Sequence, residues 1–179
     1  MISYLFDGAF GTYYQGLTGG TFPELAVLDN PNIVRDIHRR YIESGANAIK
    51  TDTFGANTVT YQSPETVGAI IRAGFGLASE AAGKNCAVFA DIGPIRSDSR
   101  AAQAEYTKIT EAFIKEGAAN FLFETLPEAG NILPAVRLIK SAVKNSVVIT
   151  SFAVSQDGYT SDGEYYVKLF DSAAQAGAD

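Results

Sequence analysis

One cysteine and one histidine in 179 residues leave no internal disulfide and no Cys/His grouping at metal-finger spacing. A reducing, cytoplasmic compartment is the expectation. No run approaches the ~18 apolar residues of a membrane span. The opening, Met1-Ile2-Ser3-Tyr4-Leu5-Phe6-Asp7, has no basic stretch and meets an acid at position seven. Neither export nor membrane insertion is indicated. Clustered cations are missing too: 14 Lys and Arg face 20 Asp and Glu, giving a formal charge of −6 and a pI near 4.8. Nucleic acid is therefore not an expected partner, because phosphate binding gathers cations on one face. The sequence also lacks G-x-G-x-x-G and G-x-x-x-x-G-K-[ST], and Gly8-Ala9-Phe10-Gly11-Thr12 fits neither phosphate-cradling pattern. What remains is an ordinary globular composition, 46% hydrophobic and 19% charged, of a length that suits one compact unit or a piece of a larger one.

A recurring unit organises the chain. The short apolar runs Tyr4-Leu5-Phe6, Ala48-Ile49-Lys50, Ala87-Val88-Phe89-Ala90, Phe121-Leu122-Phe123 and Val147-Val148-Ile149-Thr150 read as buried parallel strands. Helical spacing follows each: Ile33, Val34, Ile37 and Tyr41; Val67, Ile70, Ile71 and Ala78; Ile109, Ala112 and Phe113; Val136, Ile139 and Val143; Tyr166, Leu169, Phe170 and Ala173. This predicts about five βα units, hence an α/β fold. Ser63-Pro64 and Asn30-Pro31 read as helix starts. Gly45-Ala46-Asn47 and Gly117-Ala118-Ala119-Asn120 read as helix stops that lead into strands, and Gly177-Ala178-Asp179 repeats the pattern where the sequence stops. Residues 1–179 are thus expected to be the front of a longer repeating structure. A flavodoxin-like doubly wound sheet would be complete with five strands, whereas a TIM (β/α)8 barrel would lack its last strands. Spacing alone does not separate them.

In both architectures ligands gather beyond the carboxyl ends of the strands. Each run there closes on a polar residue: Asp7, Thr51-Asp52-Thr53, Asp91, Glu124-Thr125 and Ser151. Singly, each also suits a helix cap or a turn. Together, Asp7 and Glu124 would share one bowl, fit to hold an ammonium group or to do acid/base work. Phe10, Tyr13, Tyr14 and Phe54 either wall that pocket or pack beneath it. His38, among Arg39 and Arg40, reads as a solvated helix position.

Longer stretches carry a resemblance. Asp7-Gly8-Ala9-Phe10-Gly11-Thr12, Asn30-Pro31 with His38 through Asn47, Thr51-Asp52-Thr53-Phe54-Gly55-Ala56-Asn57, Ile92-Gly93-Pro94, Phe123-Glu124-Thr125-Leu126 and Ser151-Phe152-Ala153-Val154 with Gly158 through Gly163 resemble the homocysteine S-methyltransferase family in order along the chain. That family includes the homocysteine-binding module of cobalamin-dependent methionine synthase and betaine homocysteine methyltransferase. The resemblance implies a TIM barrel binding homocysteine, here an N-terminal portion of it. It implies Asp7 and Glu124 as holders of the substrate ammonium, and the amides around Gly8, Ala9 and Phe10, with Thr53, as receivers of its carboxylate. Gly8, without a Cβ, would let the backbone approach a ligand.

The implied chemistry is methyl transfer to a zinc-activated thiolate, in methionine biosynthesis. Zinc is expected in the complete protein and not on this chain, because the family's G-x-N-C and G-G-C-C elements do not occur here. Cys86 reads as a small core residue at the wrong end of its strand, so no catalytic or metal residue is assigned and the chain alone is expected to be inactive. Asp52 stands where the family commonly has Asn. The methyl donor stays open, with a corrinoid, S-methylmethionine and betaine all compatible. Expected partners are homocysteine and the remaining barrel portion or a corrinoid module. Two rival readings are a non-catalytic fragment that pairs through open sheet edges, and another barrel enzyme using Asp7 and Glu124 as an acid/base pair.

Overall fold

The computed structural model describes residues 3–21 and 23–179; Met1 and Ile2 of the opening run lie outside the described residues. In chain order come α1 (Phe10–Thr18), a 3-10 turn (Pro23–Leu25), α2 (Ala26–Asp29), α3 (Pro31–Glu43), β1 (Ala48–Lys50), α4 (Thr58–Tyr61) and α5 (Pro64–Ala82). They are followed by β2 (Ala87–Ile92), α6 (Ser99–Lys115), β3 (Asn120–Leu126), α7 (Leu133–Ala142), β4 (Val147–Phe152) and α8 (Tyr166–Ala176). Among the described residues, no helix is long and apolar enough to cross a membrane.

The four strands form one parallel sheet in the order β1-β2-β3-β4. The first predicted strand is reduced to a single parallel bridge, Phe6 to Ala48. Asp7 donates its N–H to the Ala48 carbonyl at 3.0 Å, and Ala48 donates to Leu5 at 3.3 Å. The order is therefore sequential from the Leu5–Asp7 segment to β4. A flavodoxin-like sheet reverses its order beside the first strand; none of these strands does. Five consecutive parallel segments without reversal are the topology of part of a (β/α)8 barrel.

Strand alternation divides the core. Ala48, Phe89 and Leu122 pack together with Tyr4, Phe6, Val147 and Ile149 on one face. Ala90, Ile92, Phe121, Phe123 and Val148 pack against helices on the other, as does Ile49 with Ala78 and Ala82 of α5. Side chains two residues apart share a face, so Lys50, Asp91 and Glu124 follow Ala48, Phe89 and Leu122 on the inner face. That face is apolar along the sheet and ionisable at its carboxyl edge.

The repeated glycine stops are one motif used three times. Gly45, Gly117 and Gly177 all have positive φ (106°, 93° and 108°), a conformation glycine adopts without steric cost. Their N–H groups bond to Ile42, Ile114 and Ala174, and the following alanines reach back to Tyr41, Phe113 and Ala173, a Schellman-type ending. Asn47 then clasps Leu5, its N–H to the carbonyl and its Oδ1 to the N–H. Asp179 clasps Val148 of β4 in the same way.

Helix starts are less uniform. Ser63 Oγ accepts the Thr66 N–H at 3.1 Å, with Pro64 at the first helical position. Ser63→Ala is expected to cost about 1 kcal/mol, read as a lower urea midpoint. Asn30 makes no such bond to α3. It also terminates α2, and its amide donates instead to the Tyr14 hydroxyl at 3.0 Å. Two other expectations are corrected. His38 is fully buried, not solvated, because Phe10 of α1 packs over its ring at 5.3 Å. On α8 only Leu169, Ala173 and Ala176 face inward, while Tyr166 and Phe170 are exposed.

Candidate functional site

At the carboxyl edge of the sheet lies a cavity of about 390 Å³, lined by Ala9, Phe10, Gly11 and Thr12 on one side and by Lys50, Asp52, Asp91, Glu124 and Thr125 on the other. Glu24, Pro23 and Phe54 close it. Of the predicted aromatic wall, Phe10 and Phe54 reach the cavity. Tyr14 is buried beside Asn30, and Tyr13 accepts a hydrogen bond from Arg40.

The acid wall is built by strand parity. Asp7 is buried, and its Oδ2 accepts the Lys50 backbone N–H at 3.1 Å; its Oδ1 has no partner. The Lys50 ammonium reaches across β2 to grip both Glu124 oxygens, at 3.2 and 3.1 Å. Asp7 and Glu124 are thus brought to one end of the molecule, with Lys50 joined to both. Asp91, between them on β2, is buried with Oδ1 unpartnered. A register break in the β3–β4 pairing between Phe123 and Leu126, with Thr125 at φ 58°, accompanies the turn of the chain beyond Glu124. Such bulges re-aim side chains near sites. Asp52, at φ 55°, is buried with Oδ2 unpartnered.

Burial pushes the Asp7 carboxyl up to about 6, against the pull of the Lys50 N–H and charge. Burial, then the Glu124 charge, lifts Asp91 well above the usual carboxylate range, and burial with Glu24 does the same for Asp52. Both favour their protonated forms. Burial alone would lower the Lys50 ammonium, but Asp91, Glu124 and Asp7 together hold it above the ordinary lysine value. Among the described residues, Lys50 is the only cationic side chain lining the cavity.

Thr53 is buried and its hydroxyl is committed. It donates to the Asp91 carbonyl at 2.7 Å, while the Asp91 N–H donates to Thr51 Oγ1 at 3.0 Å. The Thr51–Thr53 contact of 2.7 Å is then a Thr51 donation. This ladder ties the β1 turn to β2 beneath the cavity. Gly8 lies beside Tyr41, whose hydroxyl would stand 2.9 Å from an added Cβ. Ala9 precedes α1 without any side-chain cap, so the first-turn amides of α1 stand at the cavity wall, where a helix N-terminus favours an anion.

No group of three His, Cys, Asp or Glu among the described residues is arranged to hold a metal ion. Cys86 precedes β2, at the strand end opposite Asp91, and His38 is sealed against Phe10. The described residues of this chain do not fit a zinc site. Asp91, which closes its run in the sequence, lines the cavity, and so does Lys50, which the sequence places inside the run Ala48-Ile49-Lys50 and not among the site residues. The available signal was parity: each stands two residues beyond an inward-facing core residue.

A sequential parallel sheet with an acid-rich cavity at its carboxyl edge is the architecture of part of a (β/α)8 barrel. The homocysteine S-methyltransferase family model matches residues 4–178, and the chain belongs to that family. Among similar proteins, the methionine synthases of Mycobacterium tuberculosis and Mycobacterium leprae are each 39% identical over 61 residues, covering 28% of this chain. The match spans only 5% of the length of those relatives. The metallated form of the homocysteine methyltransferase MmuM from Escherichia coli superposes with a TM-score of 0.80 at 22% identity, covering 97% of this chain and 71% of that one. Its apo form gives 0.78 at 24%, covering 97% and 68%. The likeness shows a shared fold.

Proposed function

We propose that residues 1–179 are the amino-acid-binding part of a homocysteine S-methyltransferase barrel, whose whole protein moves a methyl group onto the homocysteine sulfur. The observation that carries this reading is one cavity with opposite polarity on its two walls. The uncapped N-terminus of α1, at Ala9 to Thr12, suits the substrate carboxylate. Asp91 and Glu124 on the opposite wall, with Asp7 buried against the Lys50 amide beside them, suit its ammonium. Phe54 and Thr125 also line a neighbouring cavity of about 670 Å³, with Pro94, Ile95 and Glu128, which gives the thiol end a direction in which to meet a donor. Zinc and the donor, a corrinoid or another methyl carrier, belong in this proposal to the complete protein. The sequential sheet and the clasp of Asp179 on Val148 support the reading of this chain as a run of barrel units.

Calorimetric titration of L-homocysteine into wild type and Glu124→Gln tests the assignment. Loss of the ammonium contact is expected to weaken binding about tenfold, within the range for a charged hydrogen bond. Undiminished affinity in the variant would favour the acid/base reading instead. Zinc-dependent methyl transfer by the complete gene product tests the reaction itself.

A further inference from the structure

The proposed ammonium subsite already contains an ammonium group. Lys50 Nζ lies 3.2 and 3.1 Å from the two Glu124 oxygens, and its side chain is 15% exposed. Of the roughly four acceptor positions of the carboxylate, Lys50 takes the two that face the gap between the oxygens, the place where a substrate ammonium would be gripped by both. Within the electrostatic reach of Lys50 are Asp7 and Asp91, each with a buried Oδ1 that bonds to nothing. Lysine is a flexible stem carrying a point charge with three rotatable donors, so its tip can change partners without backbone movement.

Resting on the homocysteine reading, we infer that Lys50 is a specificity-determining residue: a tethered stand-in for the substrate ammonium that must leave Glu124, toward the free oxygens of Asp7 and Asp91, before an amino acid can dock. The empty site is then held closed by its own ion pair. A ligand bearing an ammonium exchanges for Lys50 and conserves charge at Glu124. A thiol carboxylate without an amine has nothing to offer in exchange and leaves the pair intact. Lys50 therefore sets the affinity of amine-bearing ligands alone: each must displace it from Glu124 and binds more weakly for doing so, whereas an amine-free thiol does not meet this competition.

The test titrates L-homocysteine, 3-mercaptopropylamine and 4-mercaptobutyrate into wild type, Lys50→Met, Lys50→Gln and Lys50→Arg, with urea midpoints to identify folded variants. The two neutral variants are expected to bind both amines about tenfold more tightly, with 4-mercaptobutyrate unchanged; Lys50→Arg, which keeps the cation, stays near wild type. Wild type that binds homocysteine while neither neutral variant gains affinity overturns this inference and leaves the functional proposal standing. Parallel loss of homocysteine and 4-mercaptobutyrate would overturn it as well, by assigning Lys50 to the substrate carboxylate. Failure of every protein to bind either amine would overturn the functional proposal and this inference together. Should the neutral variants not fold, ¹⁵N-lysine NMR on wild type decides. The Lys50 side-chain resonance is expected to shift on adding 3-mercaptopropylamine and not 4-mercaptobutyrate; an unmoved resonance in the presence of bound amine overturns the inference.

Discussion

Gly74→Ala is expected to destabilise the protein by a net of about 1 kcal/mol, although helix propensity alone predicts the opposite sign. Gly74 lies within α5, where alanine in place of glycine ordinarily gains about 1 kcal/mol. The position is buried against the strand end that carries the site. A Cβ there would fall 2.5 Å from the Thr51 carbonyl oxygen and 2.9 Å from Thr53 Cγ2. The first of these is backbone, fixed by the Thr51–Thr53–Asp91 ladder, so relief requires the helix or the β1 turn to move. Forced overpacking costs about 1–3 kcal/mol, which outweighs the propensity gain. Urea unfolding checks the sign. A Gly74→Ala midpoint at or above wild type would mean that α5 is free to shift, and that the turn bearing Asp52 is not held by this contact. Gly76, two residues on, has nothing within 4 Å of its Cβ position, so Gly76→Ala serves as the control and is expected to stabilise by about 1 kcal/mol.

This contact illustrates what a sequence discloses and what it conceals. The apolar runs at Ala48, Ala87, Phe121 and Val147 begin or fall within β1 to β4, because short buried strands between amphipathic helices leave a strong local pattern. The glycine stops were legible for the same reason: a positive-φ position is a local demand. The bowl residues Asp7 and Glu124 were legible as strand closers, and the structure joins both to Lys50. The role of Lys50 was not legible, since its partner lies 74 residues away and two strands over. His38 was misread because its neighbours Arg39 and Arg40 are exposed, whereas its own helix face meets Phe10 of α1. Asn30-Pro31 does start α3 as read, but Asn30 also ends α2 and its side chain turns to Tyr14 instead of capping α3. These are contacts between elements, which one-dimensional spacing does not encode.

Two buried groups, Asp7 and His38, oppose each other in acid, and separating them gives the second large effect. Asp7 is 6% exposed, and burial raises its carboxyl from 3.8 to about 6. The folded state then holds the proton more tightly than the unfolded chain. Stability from this group is full below about 4 and is lost as pH rises through about 6, by about 3 kcal/mol. His38 is fully buried with both ring nitrogens unpartnered, and burial lowers it from 6.5 to about 4. Here the unfolded chain binds the proton more tightly. Stability is full above about 6.5 and is lost as pH falls through about 4, again by about 3 kcal/mol. Across pH 4 to 6 these two slopes have opposite sign, on top of the slope that the raised Asp91 and Asp52 carboxyls add in the direction of Asp7. Asp7→Asn removes one slope and leaves the others, so relative to wild type the variant is expected to lose about 3 kcal/mol as pH falls from 6 to 4. His38→Leu removes the opposing slope and is expected to gain stability toward acid by a similar amount. Urea midpoints collected at half-unit intervals from pH 4 to 7 provide the check. If Asp7→Asn and wild type give parallel profiles over that window, the Asp7 carboxyl is solvated in the folded protein, and the bowl offers no buried acid to a ligand ammonium.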